Sequence, residues 1–357
     1  MPHGSLAPRQ RKGGRARRSL RVAVALFLLV LLLAVAGAIY QAVATALDAR
    51  RYPPPGRLVD VGGQRLHLNC TGAGDPTVIF VSGASSNSLS WILVQPAVAR
   101  LTRACSYDRA GLGWSDPRRT PNTARQNARE LRTLLANAGI RGPYLLVGHS
   151  FGGFVARVFA NDYPGDVSGM VLVDSSHPDQ DSRPPEQKRA DQEQAARYAR
   201  YLPILARTGV IRLAMSLGFS LLERCPPCRR GQAAAFYEAL KKWPPDARQK
   251  LLALWSKPAY LAATYTVWVL FEESADQVRG TSKLVARPLV VLRRGREAKE
   301  DWVKLQADLA GLSTNSKQVV ASRSGHYIPL DQPEAVISAV RQVVEAVRSG
   351  RRLEAME

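Results

Sequence analysis

The chain has 357 residues, 46% of them apolar, and a formal charge of +21. That length holds one large domain with appendages or two modest ones, and the apolar share is enough for a sizeable core, which excludes a disordered chain. The basic surplus is dispersed and no nucleic-acid-reading motif accompanies it, so it is read as a solvated surface rather than a nucleic-acid interface.

Arg9, Arg11, Lys12, Arg15, Arg17, Arg18 and Arg21 precede an uncharged run from Val22 to Tyr40, and no acid occurs before Asp48. A helix rising about 1.5 Å per residue makes that run roughly as long as the hydrocarbon core is thick. Residues 1–21 therefore read as a basic cytoplasmic tail, and residues 22–47 as a transmembrane anchor or export signal. Ala42-Val43-Ala44 offers small residues for cleavage, but the run is long for a signal peptide, which favours a retained anchor. Either reading puts the large domain outside the cytoplasm, single-pass at the cell membrane or secreted. Residues 48–56, with Tyr52-Pro53-Pro54-Pro55-Gly56, read as a short stiff linker.

Arg57–Val61 and Gln64–Asn69 are predicted strands joined by Gly62-Gly63, a hairpin signal. Thr77–Val81 is a compact apolar run suited to a strand buried on both faces, and Ala104–Tyr107 is another strand. Ala124–Ala138 has helical spacing and ends at Gly139. Tyr144–Val147 is a strand that turns at Gly148–Gly153 into a helix, and Val167–Asp174 is again strand-like. From about Ser175 to Lys283 the pattern changes to Pro-interrupted, aromatic-rich helices, an insertion of the kind that forms a lid. Alternation resumes with Pro288–Leu292, Asp301–Leu312, Gln318–Ala321 and Pro333–Val347. Such alternation implies a mostly parallel sheet covered on both sides. The division is core over 57–174, lid over 175–283, core over 284–350 and a tail over 351–357.

Gly148-His149-Ser150-Phe151-Gly152, set between a strand and a helix, is the pattern of a sharp turn that exposes a serine hydroxyl above the sheet. Serine needs a base to take its proton. His3 lies in the tail, His67 in an early strand, and His149 adjoins Ser150, which leaves His177 and His326. His326, in Ser324-Gly325-His326-Tyr327 after the last predicted strand, falls at the same sheet edge as Ser150. His177 and Asp179 read as caps on the first turn of the lid.

With Gly148–Gly153, Tyr107-Asp108-Arg109-Ala110-Gly111-Leu112-Gly113-Trp114-Ser115-Asp116 and Ser324-Gly325-His326 in this order, the chain resembles the α/β-hydrolase family from about Arg57 to its C-terminus. The resemblance implies an eight-stranded, mostly parallel sheet with the early hairpin strand antiparallel, a lid after the sixth strand, and the chain order nucleophile, acid, histidine. The acid follows the sixth or the seventh strand in that family. Asp174 ends the sixth; after the seventh stand Glu297, Glu300 and Asp301, in a segment that departs from the usual Gly-x-x-Asp pattern. Asp174 is the preferred assignment. The Asp108–Arg109 segment is expected to shape a loop beside the site, with both residues structural. Oxyanion donors are expected at the N–H groups of Phe151 and of Ala84, the latter where relatives often carry His-Gly-x. Ser82 and Asn87 are placed to line the same pocket.

A serine at position 150 argues against the epoxide-hydrolase and dehalogenase branches, whose chemistry uses a carboxylate. The reading is a carboxylesterase- or lipase-like serine hydrolase acting on an ester, thioester or amide of a small-molecule or lipid-like substrate, with an apolar acyl or aryl group and no cofactor or metal. A proline-type aminopeptidase, a C–C bond hydrolase and a non-catalytic tethered binding protein are the alternatives. Outside the cytoplasm, disulfides are expected. In the implied fold Cys70 and Cys105 lie on neighbouring strands and form a candidate cross-strand bond; Cys225 and Cys228 form a candidate local staple.

Overall fold

The fold is that of a computed structural model describing residues 12–224, 237–238 and 240–353. A long helix α1 (Lys12–Arg51) leads into β1 (Arg57–Asp60), β2 (Arg65–Thr71) and β3 (Thr77–Val81). A 3₁₀ turn (Ser88–Trp91) and a short α2 (Gln95–Val98) precede β4 (Ala104–Tyr107), α3 (Ala124–Asn137) and β5 (Tyr144–His149). Then come α4 (Phe151–Asp162) and β6 (Val167–Val173). After the lid, β7 (Leu289–Arg294), α10 (Glu300–Ala310), β8 (Ser316–Ala321), α11 (Ile328–Asp331) and α12 (Pro333–Ser349) complete the core.

The eight strands form one sheet in the order β1-β2-β4-β3-β5-β6-β7-β8. β2 runs antiparallel to both its neighbours and all other pairs are parallel, which is the predicted architecture. The central strands are mostly apolar and buried at nearly every position because both faces are covered. Ile79, Val81, Leu146, Leu172 and Val291 pack beneath one helical layer, and Val78, Phe80, Val147, Val173 and Leu292 beneath the other. The period-2 alternation thus splits between two cores instead of between core and solvent. Parallel strands turn their carboxyl ends to one edge, where ligands bind in open α/β sheets.

Cys70 and Cys105 face each other in the β2–β4 register, with Cα atoms 4.0 Å apart, and are joined by a disulfide. Cys225 and Cys228 lie outside the described residues.

Between β6 and β7 the chain builds α5 (Pro185–Arg207), α6 (Val210–Arg224), α7 (Pro245–Trp255), α8 (Pro258–Val269) and α9 (Phe271–Arg279). Proline opens α5, α7 and α8, where its missing N–H has no partner to lose. Tyr260 in α8 donates its hydroxyl to Ser85 O (3.2 Å), and Trp243 stacks edge-on against Tyr327, 6.4 Å between centroids. Both contacts bring the lid onto loops at the carboxyl edge of the sheet.

Candidate active site

β5 ends at His149, and the chain reverses at Ser150 with φ 53° and ψ −126°, a conformation L-residues avoid. The Ser150 N–H bonds Val173 O (3.1 Å), while the Ser150 carbonyl accepts from Gly153 N (2.9 Å) and Ser176 N (3.1 Å). These bonds pin the strained residue between β6 and the start of α4. A Cβ at Gly152 would lie 2.1 Å from Val81 O, so only glycine lets α4 seat this closely against the end of β3. The sequence pattern is explained: strand, strained serine, and a helix whose first N–H groups face the edge of the sheet.

His326 follows β8 on a loop held by Asp331, which accepts from the Ser324 hydroxyl and from Gly325 N (3.3 Å each). Its Nδ1 lies 2.6 Å from Asp174 Oδ2. Asp174 is fully buried, sits at φ 39° one residue past β6, and its N–H bonds Leu292 O (2.7 Å). Three further donors converge on the same carboxylate. Arg294 gives its backbone N–H to Oδ1 (3.1 Å) and its guanidinium to Oδ2 (2.9 Å), and Trp302 Nε1 bonds Oδ1 (2.8 Å). Burial alone would raise this carboxyl's pKa, but the His326 hydrogen bond and charge, then the Arg294 charge and N–H, outweigh it and hold it below the ordinary value. The guanidinium of Arg294 in turn lies over the Trp302 ring, 4.6 Å from its centroid.

Arg294 and Trp302 did not emerge as site residues from the sequence. The available signal was an arginine pair ending an otherwise apolar buried strand. The three alternative acids stand apart from the histidine. Glu297 occupies a turn at φ 58°, Glu300 pairs with Lys304 (2.7 Å), Asp301 opens α10 on the surface, and none of them bonds His326.

The Ser150 hydroxyl makes no hydrogen bond to His326 among the described residues, a link that often tightens only when substrate is present. Common neighbours nonetheless tie the two together. His149 donates Nε2–H to His326 O (2.9 Å), and its ring lies 4.8 Å from the His326 ring. Burial, and then the His326 charge, pull the His149 pKa down to about 3, so this imidazole is neutral and serves as a strut.

The turn after β3 completes the site. A Cβ placed on Gly83 would lie 3.2 Å from Ser150 Cβ, which puts that turn directly beside the serine. Arg109 is buried and donates Nη2 to both Gly83 O and Ala84 O (2.7 Å to the latter), with its guanidinium 5.1 Å from the Phe151 ring centroid. The Gly83–Ala84 peptide is planar and trans, so a carbonyl turned toward Arg109 turns the Ala84 N–H the opposite way. Neither Ala84 N–H nor Phe151 N–H has a protein acceptor among the described residues. Desolvation lowers the Arg109 pKa to about 10, which leaves it a cation.

Ser82 and Asn87 are committed to shaping the same turn. Ser82 donates to Asn87 O (3.0 Å) and accepts from Trp91 Nε1 (2.9 Å), while Asn87 caps the 3₁₀ turn through Leu89 N (3.0 Å). Asp108 is a buried structural node, bonded to His67 Nδ1 (2.8 Å), Ser88 N (2.6 Å) and Trp114 N (3.0 Å). His177 accepts from Asp179 N (3.1 Å) at the first turn of the insertion and places Nε2 3.0 Å from Asp308.

A strained serine between strand and helix, a histidine–aspartate pair and two free N–H groups at one sheet edge define the class of the α/β hydrolases. A profile described as "Alpha/beta hydrolase family" matches residues 78–339, and the chain belongs to that family. An epoxide hydrolase solved without ligand superposes with a TM-score of 0.62 at 19% identity, covering 82% of this chain and 99% of its own. A thermophilic esterase from Thermogutta terrifontis superposes with a TM-score of 0.58 at 24% identity, covering 82% and 98%. Among curated proteins, a probable transporter of Hormonema carpetanum is 39% identical over 127 residues, 33% of this chain and 18% of that protein. The chain spans between 18% and 41% of the length of the first three such relatives.

Proposed function

We propose that this protein is a membrane-anchored serine hydrolase that cleaves an ester, thioester or amide bond through an acyl-Ser150 intermediate. The observation that carries this reading is the strained Ser150 at the same sheet edge as a His326–Asp174 pair 2.6 Å apart. His326 Nε2 takes the Ser150 proton as Oγ attacks the carbonyl carbon, and Asp174 stabilises the imidazolium on the Nδ1 side. The carbonyl oxygen becomes an oxyanion between the N–H groups of Phe151 and Ala84, with Arg109 holding the Ala84 peptide in its orientation. His326 then protonates the leaving group as the C–O, C–S or C–N bond breaks. A water, deprotonated by the same histidine, releases the acid and restores Ser150.

A serine nucleophile distinguishes this chemistry from that of epoxide hydrolases, although one shares the fold. The aromatic lid, with Trp243 packed on Tyr327 of the His326 loop and Tyr260 bonded to Ser85 O, supports a small-molecule or lipid-like substrate with an apolar acyl or aryl group. The helix from Arg17 to Arg51, with a mean hydropathy of 3.1 over its most apolar stretch, supports retention in the membrane with the basic tail cytoplasmic and the hydrolase domain outside.

A fluorophosphonate probe tests the central claim. Wild-type protein is expected to label at Ser150 and the Ser150→Ala variant not to label. Labelling that persists unchanged in Ser150→Ala, or none in the wild type, refutes it. Chromogenic esters of increasing acyl length, run beside amino-acyl amides, then give the bond type.

A further inference from the structure

α1 is not joined to the hydrolase by a loose tether. Its last third is docked on the lid. A Cβ on Gly37 would fall 2.1 Å from Thr208 O, so the helix can touch the α5–α6 corner this closely only through glycine. One turn on, Gln41 is buried, donates to Ser256 O (3.2 Å) and accepts from Arg212 Nε (2.9 Å). Arg212 also bonds Thr45 Oγ1 (3.2 Å) and forms an ion pair with Asp48. This polar network fixes α6 against α1.

The docking sets the height of the corner. Val22–Tyr40, at about 1.5 Å per residue, fills the roughly 30 Å hydrocarbon core, so Gly37 lies on the order of 5 Å inside its outer boundary. Thr208 and Gly209, in contact with Gly37, must then lie at the same depth. No residue in the most apolar 18-residue window of α1 is buried by the rest of the protein, and the surface beside the corner is apolar too. Tyr201, Ile204, Leu205, Val210, Leu213 and Leu217 are each between 47% and 61% exposed. α5 and α6 meet there at a bend of 84°, giving a wedge with apolar residues on both arms. Arg200 and Arg207, exposed on α5, are long enough to reach from that depth to lipid headgroups.

We propose that the α5–α6 corner is a second membrane contact, immersed in the acyl-chain boundary of the leaflet from which α1 emerges. Its occupant is lipid, because the exposed apolar face is continuous with the lipid-facing surface of α1 and held at its level. The lid that touches the catalytic loops is thereby also the part of the domain in contact with the bilayer. This inference rests on α1 spanning the membrane.

Full-length protein in phosphatidylcholine–phosphatidylglycerol nanodiscs, carrying a benzophenone amino acid at Leu213, Leu29 or Val285 in separate variants, tests it by photo-crosslinking read by mass spectrometry. Leu29 is mid-span, and Val285 is an exposed apolar residue before β7, at the opposite edge of the sheet from the lid. Lipid adducts are expected at Leu29 and Leu213, at least about tenfold above Val285. Adducts at Leu29 with Leu213 no higher than Val285 overturn the corner contact and leave the span intact. Absence of adducts at Leu29 overturns the span and the inference with it.

Discussion

Replacing Asp174 by Asn isolates the acid. The backbone at φ 39° tolerates asparagine, so the substitution is nearly silent sterically. Its hydrogen-bonding consequence is not silent. All four partners of the carboxylate are donors: His326 Nδ1, the Arg294 guanidinium, the Arg294 N–H and Trp302 Nε1. An amide offers one acceptor oxygen and one donor nitrogen, so one flip sets NH₂ against Trp302 and the Arg294 N–H, and the other sets it against His326 and the guanidinium. In the second flip His326 must take the tautomer protonated at Nε2, where it cannot receive the Ser150 proton. The first flip leaves buried donors facing each other. Breaking a buried charged pair from one side costs about 3–5 kcal/mol of stability, and loss of the correct tautomer lowers kcat by about 10³–10⁴-fold. The assay is kcat on a chromogenic ester together with urea unfolding, so that a folded, slow enzyme is told from an unfolded one. Near-normal kcat in a folded Asp174→Asn variant refutes the reasoning. So does a comparable loss in Glu297→Gln, Glu300→Gln or Asp301→Asn.

Arg109→Met removes the donor to Gly83 O and Ala84 O while keeping much of the apolar stem; kcat is expected to fall about 10–100-fold with KM little changed, because the turn carrying Ala84 loses its orientation while the lid is untouched. A KM effect with intact kcat contradicts that role. His149 gives a pH signature. Its folded-state pKa of about 3 lies below the unfolded value of about 6.5, so the unfolded chain binds the proton first as pH falls. Stability is therefore lost between about pH 6.5 and pH 3, by at most about 1.4 kcal/mol per unit, and His149→Gln should flatten that slope in chemical unfolding series. The carboxylate of Asp174, held below its ordinary value, has the same sign: its contribution is complete above about pH 4 and is lost as pH falls through the folded-state value.

Strands were legible wherever an apolar run was bounded by turn residues. Thr77–Val81 and Ala104–Tyr107 have the bounds their composition predicts, and β5 runs two residues past the predicted Val147 because the elbow itself ends it. Ser150 and Asp174 could be singled out because each directly follows a strand, Ser150 within a glycine-flanked turn, and His326 because it lies in the loop after the last strand. Arg109 was visible but read only as structural, since nothing in its neighbourhood in sequence indicates that its guanidinium reaches back 25 and 26 residues to two carbonyls. Arg294 at Asp174, 120 residues away, and Arg212 at Gln41, 171 residues away, are likewise tertiary pairings with no periodic or local trace. The uncharged apolar run was plain from composition, but α1 continues to Arg51 and docks on the lid through Gly37 and the Arg212 network, which hydropathy does not register.

The Cys70–Cys105 bond closes a loop of sequence separation 35, and that loop contains β3 and the whole turn that carries Ala84. Closing a loop of this size restricts the unfolded chain by about 4 kcal/mol on the chain-entropy account. Both cysteines also precede Ser150, so the bond can be made by a chain whose second half has not yet folded. A chain oxidised early enters folding with the β2–β4 register already set and the long-range closure around the central strand already complete. A chain kept reduced must find that register during collapse. The redox state of the surroundings thus acts on the order of assembly as well as on the finished protein.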